Sequence, residues 1–584
     1  SLFLRGDYDI NADWRYFLDT RVSRVESFGR FAPVPSSPWP GGLPLLEAGS
    51  PNHPATSPAN GGLNTFWADY QDVSTEDLYL AHRFVGLGPR DTFTDMNDYV
   101  LDMGVETSLF GIDWSAGVRS VESKYFELGR NYVVAEIAQQ FIDDGSYNIY
   151  DPYGVDESVA SSIAATTNRE AMFYEKSVYL DGRMQWLALP GGDASLAFGG
   201  EYREVDYTDT YDSLSEGGQI VGSAGNSAGG GRNVKSFFGE AMLPVLDDLD
   251  LNVALRYDDY SDAGDTLGAR VAARYALMDS LSVRGSFSQA GHAPTLDTIT
   301  QSPAFSSVSV VIPWIGIGPP APNPVVVDSY SISNPDLESE ESDILSIGVV
   351  FEPFAWLSGS LDYVSTEIDG RITAISAQQI VNCLAGASTR CPEDISFLDA
   401  SGPQPQPRNG VGAAYADNSN PFSILFIQTG FVNSGSLEQE GLDLRLDARF
   451  DLGVGVIRHE LMLSQLLSYT VDGGADVAGS YGLPERRINL RNSYDFANFS
   501  ASWNLNYIGP QDETRFGGNA GVDSWLTHDI QVAYALPWDG RVALGVINMT
   551  DEDPPLDAGE GRGYNFSLFN GYGRLPYLRY TQSF

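Results

Sequence analysis

In Phe499-Ser-Ala-Ser-Trp-Asn-Leu-Asn-Tyr507, apolar and polar residues alternate without a break. Successive side chains of a strand point to opposite faces, so Phe499, Ala501, Trp503, Leu505 and Tyr507 form a greasy side and Ser500, Ser502, Asn504 and Asn506 a wet one. The same period returns where Leu251, Val253, Leu255 and Tyr257 oppose Asn252, Ala254, Arg256 and Asp258, and where Leu281, Val283 and Phe287 oppose Ser282, Arg284, Ser286 and Ser288. It is sharpest where Leu442, Leu444, Leu446, Ala448 and Phe450 oppose Asp443, Arg445, Asp447 and Arg449. Four charges on one face need water or partners, because burying them unpaired costs several kcal/mol each. A polar lumen on one side and lipid on the other satisfies both faces.

A helical membrane protein is excluded. No stretch approaches the roughly 18 consecutive apolar residues of a spanning helix, and the most apolar segment, Val308 to Val327, is broken by five prolines and two glycines. Ser1 opens no signal peptide, since the charged start and long apolar run are missing. A soluble sandwich also alternates, but three features favour a membrane barrel. The alternating segments recur along the whole chain as hairpins. Short turns such as Pro190-Gly-Gly-Asp193, Leu277-Met-Asp-Ser280 and Pro537-Trp-Asp-Gly540 alternate with long polar loops. Aromatic residues such as Trp503, Tyr507, Trp525, Tyr534 and Trp538 gather near segment ends. The expected fold is all-β, a transmembrane antiparallel up-and-down barrel with about 20–21 strands, occupying residues 1–584 as one domain.

The chain has 34 Lys+Arg against 78 Asp+Glu, a formal charge of −44. A polyanion would be repelled along the whole surface, so a nucleic-acid partner is excluded. Only three residues are lysine: Lys124, Lys176 and Lys235. Two cysteines are too few for a disulfide-dense scaffold or a cysteine-rich zinc protein.

Several motifs, in order, resemble the TonB-dependent outer-membrane receptors. Arg284-Gly-Ser-Phe-Ser-Gln-Ala-Gly-His-Ala-Pro-Thr-Leu296 resembles the family's strand ending in Phe-Arg-Ala-Pro-Ser-Leu. Asn334-Pro-Asp-Leu-Glu-Ser-Glu-Glu341 is similar to its "NPDLKPE" strand start, and Leu544-Gly-Val-Ile-Asn-Met-Thr-Asp-Glu-Asp-Pro-Pro555 to its "NLFDxxPP" strand end. Tyr577-Leu-Arg-Tyr-Thr-Gln-Ser-Phe584 looks like an outer-membrane assembly signal. Leu4-Arg-Gly-Asp-Tyr-Asp-Ile10 looks like an early barrel hairpin. Two departures matter. His292 stands where the family has arginine, and nothing resembles the N-terminal plug or TonB box. The family's barrel has 22 strands, so the expectation is that the plug and the first one or two strands lie upstream.

The resemblance implies a receptor in the outer membrane of a Gram-negative bacterium. It captures a scarce solute at the extracellular loops, by default a ferric siderophore, for uptake driven by TonB through the plug. Outer-membrane lipid and lipopolysaccharide are the surrounding partners, and arginines reaching outward near strand ends suit lipid phosphates. The rival readings are a passive porin-like channel and a structural barrel within a larger assembly. The channel is disfavoured because an unplugged barrel of this size would be a large leak.

Few residues invite chemistry. Cys383 and Cys391 share one loop of a protein that crosses an oxidising periplasm, and a disulfide stapling that loop is expected. The five histidines lack metal-ligand spacing. His292, at a strand's outer end, is a candidate ligand contact, and His528 falls on the lipid-facing parity. Trp314 sits in the apolar Val308–Val327 segment, which is read either as a contact site or as a loop packed over its own barrel mouth. Asp443, Arg445, Asp447 and Arg449 are expected to face the lumen and pair with the plug. The acidic runs Asp143-Asp144, Asp206 to Asp212, Asp258-Asp259 and Glu338 to Glu341 read as solvated loop charge; no EF-hand pattern accompanies them. Gly225-Asn-Ser-Ala-Gly229 matches a nucleophile-elbow string but lies in a Gly/Ser-rich loop without the strand and helix an elbow needs. No enzyme activity, cofactor or metal is expected.

Overall fold

A computed structural model describes residues 1–36, 44–54, 76–221, 225–312, 325–386, 396–399, 411, 413–417, 420–512, 521–557 and 563–582. One sheet holds 24 strands, of which five short ones (Ile220–Val221, Ala304–Val310, Val325–Ile332, Ser396–Asp399 and Ala413–Asp417) join it from loops. The other nineteen form an uninterrupted antiparallel meander, close to the expected count. They are β1 Leu2–Asp9, β2 Trp14–Phe31, β3 Arg90–Leu109, β4 Ile112–Val134, β5 Ala164–Leu189, β6 Gly192–Tyr211, β7 Ala228–Leu246, β8 Leu249–Tyr260, β9 Gly264–Met278, β10 Leu281–His292, β11 Glu340–Phe354, β12 Leu357–Ile375, β13 Asn420–Asp451, β14 Val456–Val471, β15 Arg486–Phe496, β16 Phe499–Ile508, β17 Trp525–Ala535, β18 Gly540–Ile547 and β19 Leu575–Gln582. Among the described residues the outer edges of β1 and β19 are unpaired. In an alternating meander of nineteen, those two edge strands run the same way.

At one end of the sheet, all nine connections are two to four residues long. The tightest is Phe110-Gly111 between the paired Leu109 and Ile112, where both turn residues have positive φ (57° and 76°), as a primed two-residue hairpin turn requires. At the other end the connections are mostly long and partly folded. The expected asymmetry of short turns and long loops is therefore present.

Register sorts the two faces. Leu544 lies opposite Val532 and Leu578 across β17, β18 and β19, and Leu544 and Leu578 are 62% and 70% exposed. Apolar residues so bare and so regular suit lipid rather than water. The opposite face carries a ladder of ion pairs: Arg119–Asp102 at 2.8 Å, Arg256–Asp258 at 2.8 Å, Arg284–Asp362 at 2.7 Å and Arg458–Asp495 at 2.5 Å. These polar residues share a face along neighbouring strands, which makes it the lumenal one.

Strand length varies around the sheet. β3 to β7 have 19 to 26 residues, and β15 to β19 have 8 to 11. Ten tilted residues cover about 25 Å, the height of an apolar band. The long strands overshoot that band. On their overshoot the outward face turns polar, with Arg24–Asp95 at 2.8 Å, Lys124–Glu122 at 2.6 Å and Lys235–Asp259 at 3.1 Å. Lys176, over the Tyr174 ring at 4.8 Å, lies on that same outward parity. All three lysines of the chain thus point away from the lumen.

Two folded lobes stand on the loop side. The first has the helices α1 Ala135–Asp143 and α2 Glu157–Ile163. Ala135, Ala138 and Ile142, spaced along one helix face, pack with Phe84, Tyr147, Val159, Ile163 and Val221. Asp156 caps α2 by accepting from the Ser158 amide at 2.8 Å. The second lobe packs Ile380 and Val381 of the helix α4 (Ala377–Leu384) against Val310, Val327, Ile375 and Ile427. The described ends of the apolar Val308–Val327 segment are therefore packed into the chain's own second lobe.

Candidate functional site

β5, β6, β7 and β8 bring their lumenal residues to one height. Glu175 pairs in register with Val205, Val205 with Arg232, and Val234 with both Arg203 and Tyr260. After β10 the chain turns at His292-Ala-Pro294 and enters the short helix α3, Leu296–Thr300, which lies against β7. Between wall and turn lies a cavity of about 550 Å³. Phe173, Tyr207 and Tyr260 supply ring surface, Arg203, Arg232 and His292 supply donors, and Glu175 and Asp297 supply acceptors.

Each cation of the pocket lies beside a carboxylate. Arg232 donates through Nε to Asp262 at 3.1 Å, with Nη2 at 3.0 Å from the same carboxylate, and its guanidinium sits 5.6 Å from the Tyr260 ring centroid. Arg203 lies 3.6 Å from Glu201 and 4.0 Å from Glu175. His292 Nδ1 lies 3.6 Å from Glu340, with the side chain 67% exposed towards the mouth. A ring-lined cavity with convergent donors and acceptors can hold a polar solute. Among the described residues, no three His, Cys, Asp or Glu side chains converge as metal ligands.

The first lobe stands on the loop side between β4 and β5. Tyr147 is fully buried, and its hydroxyl meets His82 Nε2 at 2.8 Å. Burial pushes the His82 imidazole below its ordinary range and the Tyr147 phenol above its own. The lobe is tied towards the pocket by the chain after β6. Gln219 accepts from the Ala135 amide at 2.9 Å, and Ser227 from the Ser302 amide at 2.6 Å.

Of the residues singled out in the sequence, His292 lies in the pocket. Asp443, Arg445, Asp447 and Arg449 lie on the lumenal parity of β13, well away from it. Arg445 and Asp447 pair with each other at 2.8 Å, and Asp443 accepts from Ser464 at 2.6 Å. Part of that row is thus satisfied within the wall. Cys383, on α4, is disulfide-bonded. Cys391 and Trp314 lie outside the described residues. His528 faces outward, accepting from Trp503 Nε1 at 3.2 Å.

The acidic runs need correction. Asp206 to Tyr211 is the end of β6, where Tyr207, Asp209 and Tyr211 face inward and Arg169 holds Asp209 at 2.6 Å. Asp258-Asp259 likewise belongs to β8, with Asp258 buried. Reading these as loop charge missed a strand, because an Asp-rich, Thr-rich segment scores poorly for β structure. The Tyr–Asp–Tyr alternation was the available signal. Arg203 and Arg232 carried none, since only the register between β6 and β7 brings them together.

Comparison with known proteins adds the context. The family model described as TonB dependent receptor-like, beta-barrel, matches residues 46–549. No curated protein matches the chain by sequence. Among solved structures, a ferric enterobactin receptor mutant from Pseudomonas aeruginosa superposes with a TM-score of 0.60 at 14% identity, covering 99% of this chain and 68% of its own. The siderophore receptor PirA from Acinetobacter baumannii gives 0.57 at 15%, covering 99% and 70%. The ferripyoverdine receptor of P. aeruginosa gives 0.53 at 12%, covering 93% and 60%. At such identities the likeness is one of fold.

Proposed function

The chain belongs to the TonB-dependent receptor β-barrel family, and from that premise we propose that it is an outer-membrane receptor that captures a ferric siderophore for TonB-driven uptake. The observation that carries this reading is the ring-lined cavity at His292, on the lumenal wall. It lies where a solute arriving from the loop side first meets the barrel interior. The long-loop end is the extracellular one, and lipid and lipopolysaccharide surround the apolar face.

The plug, the TonB box and the missing barrel strands belong to the same proposal, as parts lying upstream of Ser1. The co-directed edges of β1 and β19 support it, because an odd number of further strands restores antiparallel closure. Cys383 pairs with Cys391 in this reading, stapling the second lobe, and the lumenal row from Asp443 to Arg449 meets the plug. Arg445→Ala should then weaken plug retention and leave solute binding unchanged.

The test is iron uptake in cells carrying the complete gene, with its TonB partner present or deleted. Uptake of an iron(III)–siderophore chelate that disappears without TonB supports the proposal. Uptake that persists without TonB makes the protein a passive channel. The mass and N-terminus of the natively purified polypeptide decide where the plug resides.

A further inference from the structure

Four segments on the loop side, residues 131–168, 212–227, 293–339 and 472–485, hold fifteen Asp and Glu and no Lys or Arg. The first three are linked by the hydrogen bonds Ala135–Gln219 and Ser302–Ser227, and the third supplies Ala293 to Asp297 to the lining of the His292 cavity. Inside the cavity, Arg232 is held by Asp262, and Arg203 lies 3.6 and 4.0 Å from Glu201 and Glu175, so each has a carboxylate beside it, while Arg203 Nε and Arg232 Nη2 remain buried donors without a hydrogen-bond partner among the described residues. Asp297 is exposed on the rim and has no ion pair among the described residues. The lining itself thus sets Arg203, Arg232 and His292 against Glu175 and Asp297, with Asp262, Glu201 and Glu340 beside those cations. The walls add Phe173 and Tyr207, whose ring faces attract cations, while Arg232 already stands over the Tyr260 ring.

We infer that the solute carries a net positive charge when it reaches this cavity, and that polyanionic chelates are rejected at the mouth. The inference rests on the receptor reading above and narrows its substrate class. The physics is focusing of one sign of charge in a concave, low-dielectric mouth, which raises the local concentration of cations and depletes anions. The effect acts over about 10 Å at 0.1 M salt and weakens as salt rises. Tris-hydroxamate iron chelates with a pendant amine fit this class. Tris-catecholate iron chelates, which are trianionic, do not.

Two measurements on the full-length receptor in outer-membrane vesicles test the charge and the ligand separately. In the first, a nitroxide is placed through Thr295→Cys on the rim, a position that is exposed and holds no ion pair. Its collision rates are read with a cationic and an anionic paramagnetic agent of matched size. The cation should collide on the order of tenfold more often than the anion at low salt, and the ratio should fall towards one at high salt. Adding Asp297→Asn with Glu340→Gln should lower it several-fold. A low-salt ratio at or below one overturns the inference. In the second, a cationic tris-hydroxamate and a trianionic tris-catecholate iron chelate compete for binding. Preference for the hydroxamate supports the inference, and preference for the catecholate overturns it whatever the nitroxide reports. If neither chelate binds, the siderophore reading fails, and the collision ratio alone decides the charge at the mouth.

Discussion

The wall from β3 to β7 and the wall from β15 to β19 belong to one sheet but obey different rules. The short wall is apolar outside from turn to loop: Phe499, Trp503 and Tyr507 on β16, Leu526, Ile530 and Val532 on β17, Leu544 and Val546 on β18. Its length matches the membrane and little else. The tall wall repeats that pattern in its lower half, then continues for roughly another 10–15 residues, about 25–40 Å of tilted strand. There the outward parity carries arginine, lysine and carboxylate, while the inward parity builds the cavity. Lipid contact alone sets the short wall's length; the tall wall's extra length is a platform for a lobe and a pocket.

The sharpest way to break this comparison is to unseat the lobe. Phe84→Ala removes a fully buried ring from the first lobe and should cost about 3–5 kcal/mol of lobe stability. Proteases should then nick residues 135–163, while the unboiled electrophoretic shift of the barrel stays unchanged. Loss of that shift would mean that lobe and barrel fold as one unit. Next in size, Leu544→Arg on the short wall should destabilise refolding into bilayers by about 2–4 kcal/mol. Met172→Arg, on the outward face of the tall wall opposite Lys124, should cost less than about 1 kcal/mol. Equal costs would show that the tall wall is immersed along its full height. Replacing Cys383 and Cys391 together with serine should loosen the second lobe by about 2–3 kcal/mol, read as faster hydrogen exchange around α4 and unaltered exchange in the first lobe.

The smallest effect is pH-dependent. Burial holds the His82 imidazole below its ordinary value of about 6.5, so the folded lobe prefers the neutral ring and the unfolded chain binds the proton more readily. That contribution is full above about pH 6.5 and is lost as pH falls through the folded value. Nicking of the first lobe should therefore quicken between pH 7 and pH 5 on the order of a few-fold, and His82→Phe should flatten the dependence. The second lobe, which holds no histidine among the residues of its core, serves as the control.

Much of the short wall was legible in the sequence. Its strands are about as long as the period-two pattern, their turns are two to four residues, and lipid forces strict alternation. The lower tall wall was legible for the same reason. Its upper half was not, because above the membrane neither face must be apolar and alternation loses its meaning. Asp206 to Tyr211 illustrates this: a strand that reads as a polar loop. His292 could be picked out, since it occupies a place in a motif. Its partners Arg203, Arg232 and Tyr260 lie on three other strands, and only the register assembles them. The lobes escaped for a related reason: α1 and α2 are each under ten residues, too short for a helical period to stand out against loop sequence.

The outward placement of Lys124, Lys176 and Lys235 decides how this protein can be handled chemically. Every lysine amine lies on β4, β5 or β7, on the exterior of the tall wall. With the terminal α-amine blocked, coupling through these lysines would therefore grip the barrel by that exterior and leave the lumenal groups untouched. A sensor chip loaded in this way would present molecules in one family of orientations, with the cavity at His292 facing away from the linkage. Titrating such a surface would report on the mouth of the barrel without modification of the groups that line it.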